Sequence, residues 1–223
     1  MFEASFLDTL LLTLKLASIT VAILFFIGIF LGYILAFVNI PYKVILNAVI
    51  SLPLVLPPSV LGFYLLLTFS PNYFLGSFLQ EYFELSLVFS FQGLVIASLI
   101  FNLPFMVNPI QSAFTAIPKN LIEMSYTLGK SKFRTLLSVI LPNSKAGILT
   151  GCVLSFAHTV GEFGVVMMIG GNRQETHVAS IAIYTEVEVG NYALAHQYAF
   201  TLFIISFIVL CIVYAINKRF TNG

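Results

Sequence analysis

Residues 117–142 read IPKNLIEMSYTLGKSKFRTLLSVILP and lie in the longest polar stretch of a mostly apolar chain. Pro118 suits the start of a helix and Gly129 suits its end. Four residues share one face of this helix at helical spacing, namely Leu121, Ile122, Ser125 and Leu128. Ser131 can cap a second short helix that ends before Pro142. The segment is therefore predicted to form two short helices joined by a glycine turn.

The tripeptide Gly129-Lys130-Ser131 is similar to the end of a phosphate-binding loop, but the rest of that loop is missing. The full motif needs a second glycine five positions earlier and a preceding strand. Met124 stands at that position, and a predicted helix precedes it. The sequence also contains no catalytic triad, dinucleotide loop or metal-ligand spacing. The chain is therefore predicted to bind no ATP, to hold no cofactor or metal, and not to be an enzyme.

The composition around this segment is that of an integral membrane protein. Of 223 residues, 59% are apolar and 9% are charged, whereas a soluble domain has about 25% charged residues. So few charges cannot solvate the surface of a globular protein, which excludes most classes of soluble enzyme. The net charge of +1 provides no basic surface, and this argues against a nucleic-acid partner.

Five apolar stretches are long enough to cross a bilayer as helices, which takes about 20 residues. They cover residues 10–38, 44–70, 85–110, 146–170 and 198–217. The sequence thus predicts an all-α membrane protein, with residues 1–223 as one transmembrane domain and 113–142 as a cytoplasmic segment within it. No soluble domain fits in the chain, so another chain must supply the energy for any driven transport.

The loop charges predict the orientation of the chain. Eight cations fall in loops on one side of the predicted spans, namely Lys43, Lys119, Lys130, Lys132, Arg134, Lys145, Lys218 and Arg219. Arg173 is the only Lys or Arg in the opposite loops. Because cytoplasmic loops carry the excess of Lys and Arg, the N-terminus is predicted outside and the C-terminus in the cytoplasm.

The second span contains a proline cluster, LPLVLPPSVLG at residues 52–62. Pro53, Pro57 and Pro58 remove three backbone donors and are predicted to break the helix. Carbonyl groups freed in this way must face protein or a water-filled cavity inside a membrane. Two interpretations stay open, a packing kink and an element of a transport pathway or gate.

The fourth span contains HTVGEFG at residues 158–164, with an ionisable residue inside the membrane. A carboxylate at a span centre costs roughly 2.5–3.5 kcal/mol, and His158 lies on the same helix face four residues before Glu162. Two interpretations stay open here as well. The pair holds helices together, or Glu162 lies beside the transport pathway as a gate, with Gly164 next to it.

Small residues recur every four positions in two of the spans. The fourth span has Gly147, Gly151, Ser155 and Thr159, and the first has Gly28, Gly32 and Ala36. Such stripes let a neighbouring helix approach closely. Close helix packing is expected for both, and the stripe of the fourth span is also a candidate dimer interface.

The cytoplasmic segment resembles the motif E-A-A-x3-G-x9-I-x-L-P of ABC importer permeases. Glu123, Met124 and Ser125 stand at E-A-A, Gly129 at the glycine, and Leu141-Pro142 at the end. The spacing matches throughout, while both alanines and the isoleucine are replaced. The resemblance implies that the first short helix docks on an ATP-binding subunit and couples its motion to the membrane helices. These six residues are therefore the predicted coupling site.

Longer stretches resemble the permease subunits of molybdate importers. The stretches are LPLVLPPSVLG, then FSFQGLVIASLIFNLPFMVNPIQSAF, and GEFG followed by GGN and ETHVASIAIY. The resemblance implies a type I permease fold and a homodimer in the bacterial inner membrane. It implies two cytoplasmic ABC ATPase subunits, which bind the ATP and magnesium, and an extracytoplasmic molybdate-binding protein. Pro57, Pro58, His158, Glu162 and Gly164 are the predicted pathway or gate residues.

Two alternative functions remain at this point. Sulfate and thiosulfate permeases share an E-F-G near the position of residues 162–164. Residues 172–176, NRQET, also lack the I-P-G-E-T motif of the molybdate group. A sulfate, thiosulfate or tungstate importer is therefore the nearer alternative. A stand-alone channel or secondary transporter is the more distant one, and such a protein has no need of the cytoplasmic segment.

Overall fold

The computed structural model describes residues 6–221, with the side chains of Val213 and residues 216–221 outside that description. All regular elements in this range are helical, which confirms the predicted all-α class. Twelve α-helices are found there: α1 Phe6–Phe37, α2 Lys43–Ser51, α3 Pro58–Phe69, α4 Phe74–Phe83, α5 Phe91–Thr115, α6 Lys119–Thr127, α7 Lys132–Thr135, α8 Leu141–Asn143, α9 Lys145–Gly161, α10 Gly164–Gly170, α11 Ala179–Glu188 and α12 Tyr192–Thr221.

Three of the described helices are long and apolar enough to cross a membrane, namely Phe6–Phe37, Phe91–Thr115 and the first 21 residues of α12. Two bent helix pairs raise the number to as many as five. The upper number equals that of the five predicted spans, but the second bent pair covers Lys132–Asn143 and Lys145–Gly161 and not residues 146–170. The third span begins at Phe91 and not at residue 85, because Ser90 caps α5 by accepting a hydrogen bond from the Gly93 N–H.

Helix α5 lies at the centre and is flanked by α1 and α9. A Cβ on Gly32 would lie 2.8 Å from Ile110 Cγ2, and one on Gly151 would lie 3.0 Å from the Met106 carbonyl oxygen. Both small-residue stripes therefore pack against α5 within the same chain, as the helix-packing interpretation predicts. The stripe of the fourth span is used in this contact, which leaves the structure without support for its use as a dimer interface.

The second span is broken at the prolines, as predicted. Residues Lys43–Leu54 and Pro58–Phe69 meet at an angle of 107°. Pro57 has an extended backbone and precedes α3, and Pro58 occupies the first turn of that helix, where its missing N–H costs nothing. The two arms pack at opposite ends of the domain. Ile50 of the first arm contacts the cluster of Leu35 and Val107, and Phe69 of the second contacts that of Leu16 and Leu94.

The prediction of one continuous helix over residues 146–170 is wrong. Helix α9 ends at Gly161, Glu162 is extended with φ −69° and ψ 122°, and α10 begins at Gly164. Glycines on both sides weaken the helix at this point. The Glu162 side chain also makes its hydrogen bonds to another helix, so the extended backbone is stabilised from outside the span.

The two short helices predicted for residues 117–142 are present, with one difference from the prediction. The second does not end before Pro142. It continues from α7 through a π-helical turn at Leu136–Ile140 into α8, which ends at Asn143. Pro142 lies in the first turn of α8, where an N–H is not required. The chain then bends by 75° into α9.

The predicted orientation depends partly on Lys218 and Arg219, whose side chains lie outside the described part of the chain. The orientation of the termini therefore stays a prediction.

Candidate functional site

Four of the five predicted pathway residues line one cavity of about 400 Å³. Its lining consists of Pro58, Phe101, Ala157, His158, Gly161, Glu162, Phe163 and Gly164. Pro57, the fifth, is the residue before Pro58 and does not line it. The breaks of the second and fourth spans thus open on the same space, next to the middle of α5.

The two broken spans touch at their breaks. A Cβ on Gly164 would lie 2.8 Å from Pro58 Cβ and 3.2 Å from the Ser59 nitrogen. One helical turn further on, a Cβ on Gly62 would lie 2.8 Å from Met168 Cβ. Helices α3 and α10 therefore pack backbone to backbone, and this contact requires glycine at both positions.

Glu162 is buried beside the cavity, with 4% of its surface exposed. Its Oε2 accepts hydrogen bonds from Ser98 Oγ and from Asn102 Nδ2, both at 3.2 Å. Its Oε1 is also buried and has no hydrogen-bond partner among the residues that the structure describes. The Glu162 backbone carbonyl accepts a hydrogen bond from Ser180 Oγ at 2.7 Å, which ties the break to α11. One carboxyl oxygen is thus held in place by two hydrogen bonds, while the other accepts none from the described residues.

His158 and Glu162 are joined through Asn102 and not directly. The Asn102 amide nitrogen donates to Glu162 and also to the Ser98 carbonyl oxygen at 2.9 Å, so the amide oxygen points to His158. His158 Nδ1 lies 2.9 Å from this oxygen and must donate to it. In the neutral ring, Nε2 is then left as an acceptor. The imidazole also stacks on Phe105, with ring centroids 4.1 Å apart.

Ser98 and Asn102 were not among the residues predicted from the sequence. A signal for them exists, because they lie four residues apart on one face of an apolar span, and an Asn inside a span requires a partner. The site as a whole places one carboxyl group, one imidazole and one amide among apolar walls. Such an arrangement can hold a polar solute or close a path through the membrane.

The coupling segment is the second candidate site, and its glycine turn has a defined geometry. Gly129 has φ 74°, in the left-handed region. The Gly129 N–H donates to the Tyr126 carbonyl, and the Lys130 N–H donates to that of Ser125, at 2.9 and 3.1 Å. This pair of bonds is the Schellman ending of a helix, which favours glycine. Nothing lies within 4 Å of a Cβ placed on Gly129, so backbone strain alone selects the residue.

A hydrogen bond joins the two short helices of this segment, α6 and α7. Ser125 and Thr135 are both buried, and their hydroxyl oxygens lie 2.9 Å apart. Ser131 caps α7 by accepting from the Arg134 N–H, as predicted. Leu141 is half-buried against the core cluster that contains Ile140. Ser125 and Leu141 therefore stabilise the segment itself.

The remaining predicted coupling residues, Glu123, Met124, Gly129 and Pro142, are exposed. The same segment also exposes the apolar side chains of Leu121, Leu128, Phe133 and Leu137. Met124 is 59% exposed, although it lies in the middle of α6. Such a cluster on a polar loop is typical of a surface that contacts another protein.

A family model described as "Binding-protein-dependent transport system inner membrane component" matches residues 28–222. The chain belongs to this family. It is therefore an inner-membrane permease component of a transport system. In this family, a relative from Azotobacter vinelandii, "Molybdenum transport system permease protein ModB", is 44% identical over 95% of this chain and 94% of its own length.

Two further relatives of this permease show how identity varies within the family. The "Molybdenum transport system permease protein ModB" of Escherichia coli (strain K12) is 35% identical over 81% of this chain and 80% of its own. The "Sulfate transport system permease protein CysT" of Salmonella typhimurium (strain LT2) is 29% identical over 86% of this chain and 70% of its own.

Solved structures agree with the permease fold. A bacterial ABC transporter that imports the acidic polysaccharide alginate matches 97% of this chain and 80% of its own, with a TM-score of 0.80 at 15% identity. An inward-facing MetNI methionine ABC transporter matches 96% of this chain and 94% of its own, with a TM-score of 0.71 at 19% identity. These similarities concern the fold alone.

Proposed function

We propose that the chain is the permease subunit of an ABC transporter that imports molybdate across the cytoplasmic membrane. The observation that carries this proposal is the 44% identity to the Azotobacter molybdenum transport permease, which extends over nearly the whole of both chains. The sulfate relative is less similar, at 29%. Molybdate is therefore favoured over sulfate as the transported oxyanion.

The energy for import comes from partner subunits in this proposal. Two ABC ATPase subunits bind ATP and magnesium in the cytoplasm, and the exposed apolar side chains around Met124 dock on them. The permease itself catalyses no reaction and holds no cofactor. The docking is supported by the coupling segment, which exposes Met124 and Phe133 on its outside while Ser125 and Thr135 are bonded on its inside.

The transporting unit is a homodimer of this chain, with a molybdate-binding protein on the extracytoplasmic side. The N-terminus faces that side and the C-terminus the cytoplasm. To test the orientation, single cysteines are placed at Asn120 and Asn191 in a chain whose own two cysteines are replaced. An impermeant thiol reagent should label the cysteine at 191 in intact cells and the one at 120 only after permeabilisation. Labelling of both in intact cells would contradict the proposed topology.

The cavity beside Glu162 is the proposed gate. Both broken spans meet there through Gly164 and Pro58, so a shift of either span changes its shape. ATP binding by the partner subunits moves the coupling segments, the membrane helices open to receive the oxyanion, and hydrolysis reverses the motion. A high-affinity anion site in the permease is unnecessary, because the binding protein captures the substrate.

Uptake measurements test the transported ion. A bacterium that lacks its own molybdate permease should regain uptake of radiolabelled molybdate when this chain is produced with its ATPase and binding protein. Excess tungstate should compete, since it is a tetrahedral dianion of nearly the same size. Restored uptake of sulfate without uptake of molybdate would overturn the assignment. A companion strain with an inactive ATPase controls for uptake that does not depend on ATP.

A further inference from the structure

Helix α4, Phe74–Phe83, does not belong to any span, to the cavity or to the coupling segment. It follows the end of α3 at Phe69 and precedes the start of α5 at Phe91. The end of α3 and the start of α5 both pack at the side of the domain that lies away from the coupling segment, where Leu16, Leu87 and Leu94 form a core cluster. The connectivity therefore places α4 at the membrane surface where two spans end.

One face of α4 is an exposed row of aromatic rings. Phe74, Phe78 and Tyr82 lie four residues apart and are 83%, 41% and 69% exposed. Their rings contact each other in sequence, with centroids 6.4 Å apart for the first pair and 4.8 Å for the second. The row is thus a continuous surface about two helical turns long.

The opposite face fixes how this row is oriented. Gly76 is buried, and a Cβ there would lie 2.5 Å from the Phe69 carbonyl oxygen, so α4 folds back directly on the end of α3. Leu79 packs on the core cluster that contains Leu65 and Phe69. Because this side is closely packed, α4 cannot rotate to bury its aromatic row within the chain.

A third sector of α4 is polar and lies beside the aromatic row. At 100° per residue, Ser77, Gln80 and Glu81 fall together on the flank of the row. A helix with adjacent apolar and polar sectors lies in the plane of the membrane interface, and Phe, Tyr and Trp concentrate at that level. Helix α3, which leads into α4, also exposes the aromatic side chains of Phe63 and Tyr64.

We propose that α4 lies flat in the membrane interface, with Phe74, Phe78 and Tyr82 among the upper acyl chains and glycerol groups of the lipids and Gln80 and Glu81 in water. The helix then fixes how deep in the membrane the connection between α3 and α5 lies. The occupant of the aromatic face is lipid and not a second protein. In the proposed orientation this is the extracytoplasmic leaflet, but the anchoring itself depends on neither the orientation nor the transported ion.

The chain contains no tryptophan, so a substitution creates a unique fluorescent probe. The full chain is reconstituted in phosphatidylcholine vesicles as Phe78→Trp, with Phe74→Trp as a second probe of the row. Gln80→Trp is the matched control on the polar sector of the same helix. Phe203→Trp is the control for a span, because Phe203 is exposed on the apolar part of α12. Lipids brominated at shallow or deep acyl positions then quench each probe according to its depth.

The expected result is blue-shifted emission of Phe78→Trp and Phe74→Trp, with stronger quenching by shallow than by deep bromines. Phe203→Trp should be quenched most by deep bromines, which also shows that the chain is inserted. Gln80→Trp should emit at longer wavelength and be quenched several-fold less. Water-like emission of both row probes while Phe203→Trp is quenched would overturn the proposal. Blue-shifted emission without quenching would also overturn it, because a second copy or another protein would then cover the row.

Discussion

The coupling segment and the cavity beside Glu162 are each stabilised by hydrogen bonds. The two regions differ in how far apart the bonded residues lie along the chain. In the segment, the hydrogen bond between Ser125 and Thr135 joins residues 10 positions apart. Around the cavity, Glu162 is bonded to Ser98 and Asn102, 64 and 60 positions away. The segment is thus built from local bonds and exposes apolar side chains such as Met124, whereas the cavity depends on bonds between spans. A change in the segment should affect coupling, and a change around the cavity should affect folding first.

The largest effect is expected for Asn102→Ala, which removes the link between His158 and Glu162. The substitution leaves the half-buried His158 Nδ1–H without its acceptor and removes one of the two donors to the buried Glu162 Oε2. A hydrogen-bonding group left without a partner costs about 1–3 kcal/mol. The thermal unfolding midpoint of the purified protein should fall by several degrees, and the yield of assembled complex should fall with it. Asn108→Ala, at a half-buried position of the same helix, is the control. Equal stability of the two variants would show that the cavity does not depend on bonds between spans.

The next effect is expected for Gly164→Ala, because the added methyl group would meet Pro58 Cβ at 2.8 Å. Overpacking of this kind costs about 1–3 kcal/mol. The matched control is Gly161→Ala, three residues earlier, where nothing lies within 4 Å of the added atom. Thermal unfolding should show a loss of stability for the first variant only. Equal loss in both would contradict the close contact between the two broken spans.

A smaller effect on stability, but a specific one on function, is expected for Gly129→Val. A β-branched residue at φ 74° strains the turn by about 1–2 kcal/mol. Membrane insertion should stay normal, while ATP hydrolysis stimulated by the loaded binding protein should fall. Gly129→Asn is the control, since Asn tolerates this backbone conformation. Normal stimulated hydrolysis in the valine variant would contradict the coupling role.

The smallest effect on stability is expected for Glu162→Gln, which keeps the shape and most hydrogen-bonding capacity of the side chain. As a gate, Glu162 lines the cavity with a carboxyl group whose Oε1 has no partner among the described residues, and the amide replaces one acceptor oxygen by a donor. Molybdate uptake should then fall by roughly tenfold, equivalent to about 1.4 kcal/mol, at an unchanged yield of complex. Uptake at the wild-type rate would leave Glu162 as a structural residue that only holds helices together.

The same contrast explains what the sequence could and could not predict. The glycine turn at Gly129 and the break at Pro57 and Pro58 follow from backbone chemistry within a few residues, and both were predicted. The break at Glu162 was not, because an apolar run over residues 146–170 has the length of one span. What ends the helix there includes bonds from Ser98 and Asn102 on α5. A pattern read along one span contains no information about its neighbours in space.

Two other differences have equally physical causes. Helix α4 was not predicted, since a search for about 20 apolar residues passes over a helix of 10 residues. The second cytoplasmic helix was predicted to end before Pro142, because proline breaks the interior of an α-helix. The π-helical turn at Leu136–Ile140 precedes the proline and places it in a new first turn, where it is tolerated. Whether the exposed residues of the segment contact an ATPase stays a prediction.

Helix α9 gives the molecule a mechanical lever. It begins directly after the 75° bend and ends directly before Glu162, and its 17 residues extend about 25 Å. The arm from Gly151 to Gly161 is about 15 Å long, so a tilt of about 10° around Gly151 displaces its far end by about 3 Å. Gly147 and Gly151, which rest on α5, provide the fulcrum near the driven end. In the proposed import cycle, a small movement of the coupling segment is thereby enlarged before it reaches the cavity beside Glu162.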